Sequence, residues 1–599
     1  MTRDWRSIAE QKQRERESRI PPAWRLDRID QSSKSVLSVP RQCGLLDENE
    51  LRITEEPDAT ALLRKLADGT YTSLDVVTAF CKRAAIAQQL TNCLTEIFFH
   101  DAIKRAKYLD EAFLRTGKPI GPLHGLPISL KDVFNVKGYD ASIGIASLCF
   151  KPATANSALV EQLLSLGAVL YVKTNVPQTL MALDSHNNVF GRTLNPANRL
   201  LTPGGSSGGE GALIALRGSV LGIGTDVGGS IRIPAMCNGL FGVKPSHGRV
   251  PYAGLEGGGL PGNNRLTMEA TAGPIAHSIR DCHMLLRVVS DSAPWASDPD
   301  VLPQGWEGQV SLQSGRLVQQ PARPLLVGVA KSDGYAVPHP PIARLMDEVM
   351  RVLQDRSASP PPAVEIQVVE LDISPLWSRC LKLFNALQST EGANHAFDLL
   401  EDTGEPLSPW LQGRLRRRPQ KSLDASRALL AQKSELQALA LSIWSEDGGY
   451  WRTTKQTGTQ GGTRSPRHQR RRLDVFLCPV APHPVLPVDR WNTVNYTGAF
   501  NLLDLPAGVL PVRPFAAADK AGEFPDDDDA ATTAPLNGWD RVNRELWTRA
   551  DRDVYVGSSL GVQVVAPRLQ ERKLLECMAL LEVALRPLAA GSERRVSRL

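Results

Sequence analysis

Residues 202–249 contain two serines that each lie in an unusually glycine-dense setting. The chain reads GGSSGG around Ser206 and VGGS up to Ser230. Glycine is used where the backbone needs a positive φ or where another atom approaches it closely, and successive N–H groups freed in this way can form an anion-binding nest. A serine beside such a nest has donors for a developing oxyanion next to its own hydroxyl. The stretch therefore predicts a serine nucleophile for acyl transfer.

A serine nucleophile needs a base, and Lys131 is the candidate. Residues 121–132 read GPLHGLPISLKD, in which the alternation of Leu126, Ile128 and Leu130 predicts a strand with one buried face. Lys131 follows at the end of that strand. A lysine in an apolar, desolvated place loses proton affinity and can act as a neutral base. Spacing alone does not bring this amine to either serine.

Other catalytic motifs fit the same stretch less well. It is not a P-loop, because no Lys-Ser or Lys-Thr follows the glycines. The G-x-S-x-G pattern around Ser206 matches a nucleophile elbow, which requires a preceding strand and a late histidine. The late histidines lack a recognisable setting, and the earlier His124 and His247 are predicted to be structural or pocket-lining. The late histidines are His395, His468 and His483. No HExxH or His-x-x-x-His pair occurs, so we expect no metal site and no cofactor.

Three separated motifs together resemble the amidase signature family. They are GPLHGLPISLKD, TPGGSSGGEGA and GTDVGGSIRIPA, in that order. The flanking TNVPQTLMALDSHNNVFGRTLNP and KPSHGRVPYAG resemble its fungal general amidase (acetamidase-like) branch, which is related to fatty acid amide hydrolase. The resemblance extends from about residue 24 to about residue 585. It implies a carboxylic amide hydrolase.

The resemblance also implies roles for individual residues. Lys131 is the general base, Ser206 the bridging serine and Ser230 the nucleophile that forms the acyl-enzyme. It further implies a cis peptide at Gly205–Ser206 and an acyl pocket lined by Leu180. The backbone N–H groups implied to form the oxyanion hole are those of Val227, Gly228, Gly229 and Ser230. The residues implied to support the site are Ser207, Thr225, Asp226 and Arg232.

Helical patterns alternate with buried strand patterns along most of the chain, which predicts an α/β fold. With the resemblance, we expect the amidase-signature fold: one domain with a large, mixed, twisted β-sheet covered by helices on both faces. An N-terminal helical arm (1–50), a solvated helix with interleaved charges, would precede the amidase domain (51–585) and a C-terminal tail (586–599). Surface insertions are predicted near 292–324, 452–472 and 514–535.

The basic, low-complexity segment 452–472 has three interpretations. It is a nuclear-localisation or nucleic-acid patch, a flexible surface loop, or intronic sequence that is not native protein. The loop and the artefact together outweigh the patch. Net charge of +5 on 599 residues gives no other sign of a nucleic-acid partner.

The expected activity is hydrolysis of small aliphatic amides to the acid and ammonia. The alternatives are a fatty-acid or aryl amide hydrolase, a subunit similar to glutamyl-tRNA amidotransferase, and a catalytically inactive homologue. The N-terminus is too polar for a signal peptide, and no apolar run is long enough for a membrane anchor. The dispersed cysteines predict reduced thiols, and a homodimer is compatible with the sequence. We expect a cytoplasmic protein, or a peroxisomal one if Ser597-Arg598-Leu599 is read as an address.

Overall fold

The structure is a computed structural model that describes residues 4–260, 262–312, 324–355, 365–445, 451, 472–490, 493–524 and 534–596. These residues form an eleven-stranded mixed sheet and a separate two-stranded hairpin, β4–β5. The expected α/β fold with a large mixed sheet is confirmed. The strands are β1 Leu94–Ile97, β2 Pro127–Lys131, β3 Val169–Thr174, β4 His186–Asn187, β5 Gly191–Arg192, β6 Leu221–Asp226, β7 Phe241–Lys244, β8 Thr271–Ala276, β9 Leu325–Ala330, β10 Ile366–Leu371, β11 Val475–Pro479, β12 Ala507–Pro514 and β13 Ser559–Val565.

The strand order in the sheet is β1-β3-β2-β6-β8-β7-β12-β13-β11-β9-β10. Strand β2 pairs in parallel with both β3 and β6, and β9 pairs in parallel with both β10 and β11. From β6 to β11, through β8, β7, β12 and β13, all neighbouring strands are antiparallel. Every residue of β3, β6, β8 and β9 is buried. Because successive side chains of a strand point to opposite faces, both faces of the sheet are covered there.

Helices supply that cover. The α-helices are α1 Trp5–Ser18, α2 Val39–Gln42, α3 Glu48–Thr54, α4 Ala59–Ala67, α5 Ser73–Thr91, α6 Phe99–Thr116, α7 Ala158–Ser165, α8 Gly208–Ala215, α9 Arg232–Asn238, α10 Asn263–Leu266, α11 Ile279–Asp291, α12 Pro340–Gln354, α13 Ser374–Gln388, α14 Asn394–Glu401, α15 Leu423–Ala440, α16 Asn495–Leu502, α17 Gly538–Thr548 and α18 Glu571–Val596. Helix α6 packs on β3, α8 on β6, α12 on β10 and α18 on β12. No helix within the described ranges is long and apolar enough to cross a bilayer.

Strand β2 differs from its prediction in burial. The sequence predicts one buried face, but all five residues of β2 are buried. The reason is its place inside the parallel part of the sheet, between β3 and β6, where helices cover both faces. Lys131, the last residue of β2, pairs with Thr174 at the end of β3. The carboxyl ends of β2, β3 and β6 therefore meet at one edge, where ligand sites of parallel sheets usually lie.

The N-terminal helix α1 is not the solvated helix that its charges predict. Lys12 and Arg16 are buried. The Lys12 ammonium forms ion pairs with Glu96 and, at 2.7 Å, with Asp140, and the Arg16 guanidinium donates to the carbonyl oxygen of Leu94 at 2.9 Å. Charged side chains can be buried when each has a charged or hydrogen-bonding partner. The arm is thus packed against β1.

The predicted insertions fall partly outside the described residues. The segment 292–312 is anchored by Trp306, a fully buried side chain, so it is not only a surface excursion. Positions 313–323, 452–471, 525–533 and 597–599 lie outside the described residues, and with them most of the basic segment and the C-terminal tripeptide. The sequence places the start of a tail at 586, whereas helix α18 continues to Val596. The nine cysteines, all in the described ranges, form no disulfide.

Candidate active site

Lys131 is buried at the end of β2, and its amine contacts two residues that the sequence places far away. Lys131 Nζ lies 2.7 Å from Ser206 Oγ and 2.8 Å from Thr225 Oγ1, with the Thr225 carbonyl oxygen at 3.4 Å. The two Thr225 oxygens accept the N–H groups of a neutral amine. The lone pair of that amine then faces the Ser206 hydroxyl.

Burial lowers the pKa of Lys131 to about 7, while the negative charges of Asp226 and Glu210 act in the opposite direction. Removing an ammonium from water penalises its charged form, which is why the amine loses its proton so readily. A base works best when its pKa lies near the working pH. The Lys131 amine can therefore accept a proton at neutral pH.

The segments that carry the two serines are linked through the backbone of Ser207. Ser206 follows a cis peptide bond with Gly205, as the resemblance implies. The N–H of Ser207 donates to the carbonyl oxygen of Ser230 at 3.2 Å. Ser207 Oγ also lies 3.4 Å from the backbone N and O of Thr225. Ser206 is thus in contact with the Lys131 amine, and the next residue along the chain, Ser207, is hydrogen-bonded to Ser230, which lines a cavity.

The loop 227–230 presents backbone N–H groups beside Ser230. Within the described part of the chain, the N–H groups of Val227, Gly228 and Ser230 have no hydrogen-bond acceptor. The Gly229 N–H differs, because it donates to Asp226 Oδ1 at 2.7 Å. Gly229 has a φ of +132°, and a Cβ there would overlap Thr497 Oγ1. A glycine is therefore required at this position.

Asp226 fixes this loop from inside. Its carboxylate accepts the backbone N–H groups of Gly229 and, at 3.1 Å, Ile231. The Arg232 guanidinium donates to both of its oxygens at 3.0 and 2.9 Å. Burial alone would raise the pKa of Asp226, but the charge and hydrogen bonds of Arg232 outweigh it and hold that pKa well below its usual range. Arg232 also donates to residues on α16 and β13, namely Thr497, Asn501 and Gln563.

Replacing Arg232 by methionine is expected to lower the free energy of unfolding by about 3–5 kcal/mol, because it leaves the Asp226 carboxylate buried without its charge partner. Denaturant unfolding measures this. The control is Arg287→Met, whose exposed partner Asp291 is 3.7 Å away and whose loss should cost less than about 1 kcal/mol. Equal stability of the two variants would contradict a structural role for the buried pair.

Glu210 is a second buried carboxyl group near the amine. Ser129 Oγ donates to it at 2.5 Å and Thr174 Oγ1 at 2.9 Å. Burial raises its pKa to about 7, although these hydroxyls and Lys131 act in the opposite direction. A Cβ on Gly222 would overlap Glu210 Oε2, so glycine at 222 makes room for the carboxyl group. Glu210 is part of the charge environment of Lys131.

A cavity of about 600 Å³ opens at Ser230. Its wall near this serine is apolar and includes Leu180, Val227, Leu381 and Phe384. Such a volume lies in the range of sites for drug-sized ligands. Leu180, with a φ of +64°, lies at the position where the resemblance places an acyl-pocket residue. Acyl transfer to Ser230 is the chemistry that this arrangement can perform.

Sequence reasoning missed several residues of this region. Thr497 and Asn501 lie in α16, and the strand β12 begins only at Ala507. Phe384, on α13, packs against the loop of Ser230, since a Cβ on Gly228 would lie 2.9 Å from its ring. No local pattern marks such contacts across more than a hundred residues.

The alternative with a late histidine as the base does not fit the structure. The group that meets Ser206 is a lysine, whereas His483 is buried beside the carbonyl oxygen of Pro484. Among the described residues, no cluster of His, Cys, Asp or Glu could hold a metal ion.

The chain is similar to known amidases over most of its length. The family model described as Amidase matches residues 75–575. The chain is 35% identical over 580 residues to an acetamidase of Emericella nidulans, covering 96% of this chain and 97% of that protein. It is also 35% identical over 573 residues to an acetamidase of Aspergillus oryzae, covering 95% and 97%. Among solved structures, a fatty acid amide hydrolase superposes with a TM-score of 0.79 at 26% identity, covering 96% of this chain and 95% of that one.

Proposed function

The chain belongs to the amidase signature family of amide hydrolases, and on that premise we propose that it hydrolyses primary carboxylic amides through Ser230, Ser206 and Lys131. The observation that carries the proposal is the contact of 2.7 Å between the buried Lys131 amine and Ser206 Oγ, on a segment whose next residue, Ser207, is hydrogen-bonded to Ser230. The names of the acetamidase relatives support the same activity.

In the first half of the proposed reaction, the neutral Lys131 amine takes the proton of the Ser206 hydroxyl as Ser206 takes that of Ser230. The Ser230 oxygen then forms a bond to the amide carbon, and the carbonyl oxygen becomes an oxyanion. The free N–H groups of Val227, Gly228 and Ser230 would bind this oxyanion. The Gly229 N–H already donates to Asp226. The proton returns through Ser206 to the amide nitrogen, the C–N bond breaks, and ammonia leaves.

In the second half, water takes the place of ammonia. Lys131 again accepts a proton through Ser206, the water oxygen attacks the acyl carbon, and the bond to Ser230 breaks. The acid is released and the Ser230 hydroxyl regains its proton. One water is consumed for each amide cleaved.

The size of the cavity bears on the substrate. Small aliphatic amides can reach Ser230, but acetamide, with only a methyl group as its acyl chain, would fill a small part of about 600 Å³. Affinity for a concave apolar site grows with the apolar surface that the ligand buries. Amides with longer aliphatic or aryl acyl groups should therefore have higher kcat/KM than acetamide.

Ammonia release tests the proposal directly. The panel of primary amides runs from acetamide through hexanamide and benzamide to the primary amide of a long-chain fatty acid. Acetanilide, a secondary amide whose hydrolysis releases aniline in place of ammonia, is followed separately by the aniline formed. We expect turnover of primary amides that rises with acyl length. Folding is checked by circular dichroism on the same preparation. A folded protein that releases no ammonia from any of these amides would refute the proposed activity.

A further inference from the structure

The cavity at Ser230 has a basic mouth. Arg414, Arg416 and Arg418 alternate along the segment 413–418 (GRLRRR), and all three line the cavity and are exposed. No aspartate or glutamate lies among the described residues that line it. The lining of the cavity thus combines apolar side chains with exposed arginines.

The segment that carries these arginines is held in place. The Arg418 N–H donates to the Gly392 carbonyl oxygen at 2.9 Å, and Asn394 Nδ2 donates to the Arg418 carbonyl oxygen at 3.1 Å. The Arg414 guanidinium lies 4.7 Å from the centre of the Trp410 ring and donates to the Trp410 carbonyl oxygen at 2.6 Å. Trp410 itself is buried and lines the cavity. These contacts hold the backbone of the segment at both ends of the run of arginines.

Arg417, between two of these arginines, makes a useful contrast. Its guanidinium pairs with Asp398 at 2.8 Å and with Glu401 at 3.0 Å, and it does not line the cavity. The side chains of Arg416 and Arg418, by comparison, have no carboxylate partner anywhere in the described residues. Arg416 and Arg418 are thus two exposed, cavity-lining residues whose positive charge no described carboxylate neutralises.

We propose that the preferred substrate is a primary amide whose acyl chain ends in a carboxylate, that is, the monoamide of a dicarboxylic acid. The inference rests on the proposed function, because ammonia is the leaving group and the acyl part must then fill the cavity. The amide carbon would lie at Ser230, the methylene chain along the apolar wall, and the carboxylate at Arg416 and Arg418. A guanidinium fork matches the two oxygens of a carboxylate. Hydrolysis consumes one water and releases ammonia and the dicarboxylate.

The test compares amides that differ only in the charge at the far end. Monoamides of dicarboxylic acids, from succinic to sebacic acid, are compared with neutral alkyl amides of equal length by kcat/KM. We expect a preference of about 10-fold for the carboxylate at the best length, as for one charge-assisted contact. The double variant Arg416→Gln/Arg418→Gln should lose that preference through a higher KM. The readout is the ratio of kcat/KM for the carboxylate to that for the neutral amide of equal length, which should fall to about 1 in the double variant.

Arg417→Gln is the matched control, because it removes the same charge from the same segment but from outside the cavity. It should retain the preference, and added salt should weaken it in the wild type. Calorimetric binding of the best monoamide to Ser230→Ala protein, with and without the Arg416/Arg418 changes, reports recognition independently of turnover. Arginine-dependent binding without turnover would support the carboxylate site and refute the proposed activity.

The opposite result is equally clear. Turnover of neutral amides with no carboxylate preference at any length, or a preference that survives the double variant, would overturn the carboxylate site and leave the amidase activity standing. A phosphonate analogue of the best monoamide is the last arm. Better use of the phosphonate than of the carboxylate would assign the arginines to a phosphorylated substrate and overturn the proposal as stated.

Discussion

Replacing Ser230 by alanine is expected to reduce amide turnover by roughly 10⁵-fold or more, because the acyl-enzyme has no other oxygen on which to form. It should also abolish covalent labelling by a fluorophosphonate, which attacks activated serines. Intact-protein mass spectrometry measures the adduct, and ammonia release measures turnover. Ser230 is at the cavity wall, so losing one hydroxyl there should leave the unfolding midpoint unchanged.

Ser206→Ala separates the nucleophile from its neighbour. This variant keeps Ser230 but breaks the contact between Lys131 Nζ and Ser206 Oγ, so the adduct should still form, more slowly, on Ser230. Peptide mapping locates it. Wild-type labelling on Ser206, or a full adduct in Ser230→Ala protein, would show that the roles of the two serines are assigned wrongly.

Short-range patterns were sufficient to predict the elements that carry the catalytic candidates. The alternating apolar residues before Lys131 predict β2, and the glycines predict free N–H groups beside both serines. That second prediction fits the loop 227–230, whereas the N–H groups of Gly204, Gly208 and Gly209 around Ser206 donate to Thr202, Ser185 and Asn175. Each of these signals lies within about ten residues of the side chain concerned. The geometry of a strand end and of a glycine-rich turn is local, so the sequence contains it.

The contacts that assemble the site could not be predicted in the same way. Arg232 meets Asn501 and Gln563, far along the chain and on two different elements, and only the packing of α16 and β13 brings them to β6. The burial of Lys12 depends likewise on Glu96 and Asp140. A local stretch of sequence predicts that a charged residue is exposed to solvent, because the partner that allows its burial lies elsewhere in the chain.

The arginines at the mouth of the cavity show the same limit. The letters GRLRRR at residues 413–418 do not distinguish one arginine from another, and a run of charges most often lies on a solvated face. In the structure Arg414, Arg416 and Arg418 line the cavity, on a segment held by the hydrogen bond of Arg418 to Gly392 and the contact of Arg414 with Trp410. The structure separates Arg417, paired with Asp398 and Glu401, from its two neighbours.

Replacing Lys131 by methionine is expected to lower kcat/KM by about 10⁴-fold, the upper range for the loss of a general base. The apolar side chain fits the buried position but cannot accept a proton. In the wild type, kcat/KM should rise about tenfold per pH unit below pH 7 and level off above it. The sign follows from the pKa of Lys131, lowered by burial to about 7: below it the amine is protonated and inactive, and above it the amine is a free base. The Lys131→Met variant should lose this rise of kcat/KM with pH, the acid limb of the profile.

Lys173→Met is the control that separates chemistry from burial. Lys173 is a fully buried lysine on the neighbouring strand β3, and its amine lies 3.5 Å from Asp132. Its replacement should destabilise the fold, because Asp132 loses its charge partner, yet the acid limb of the pH profile should stay near pH 7. A Lys131→Met enzyme that retains the limb, or a Lys173→Met enzyme that loses it, would show that the titrating base is a group other than Lys131.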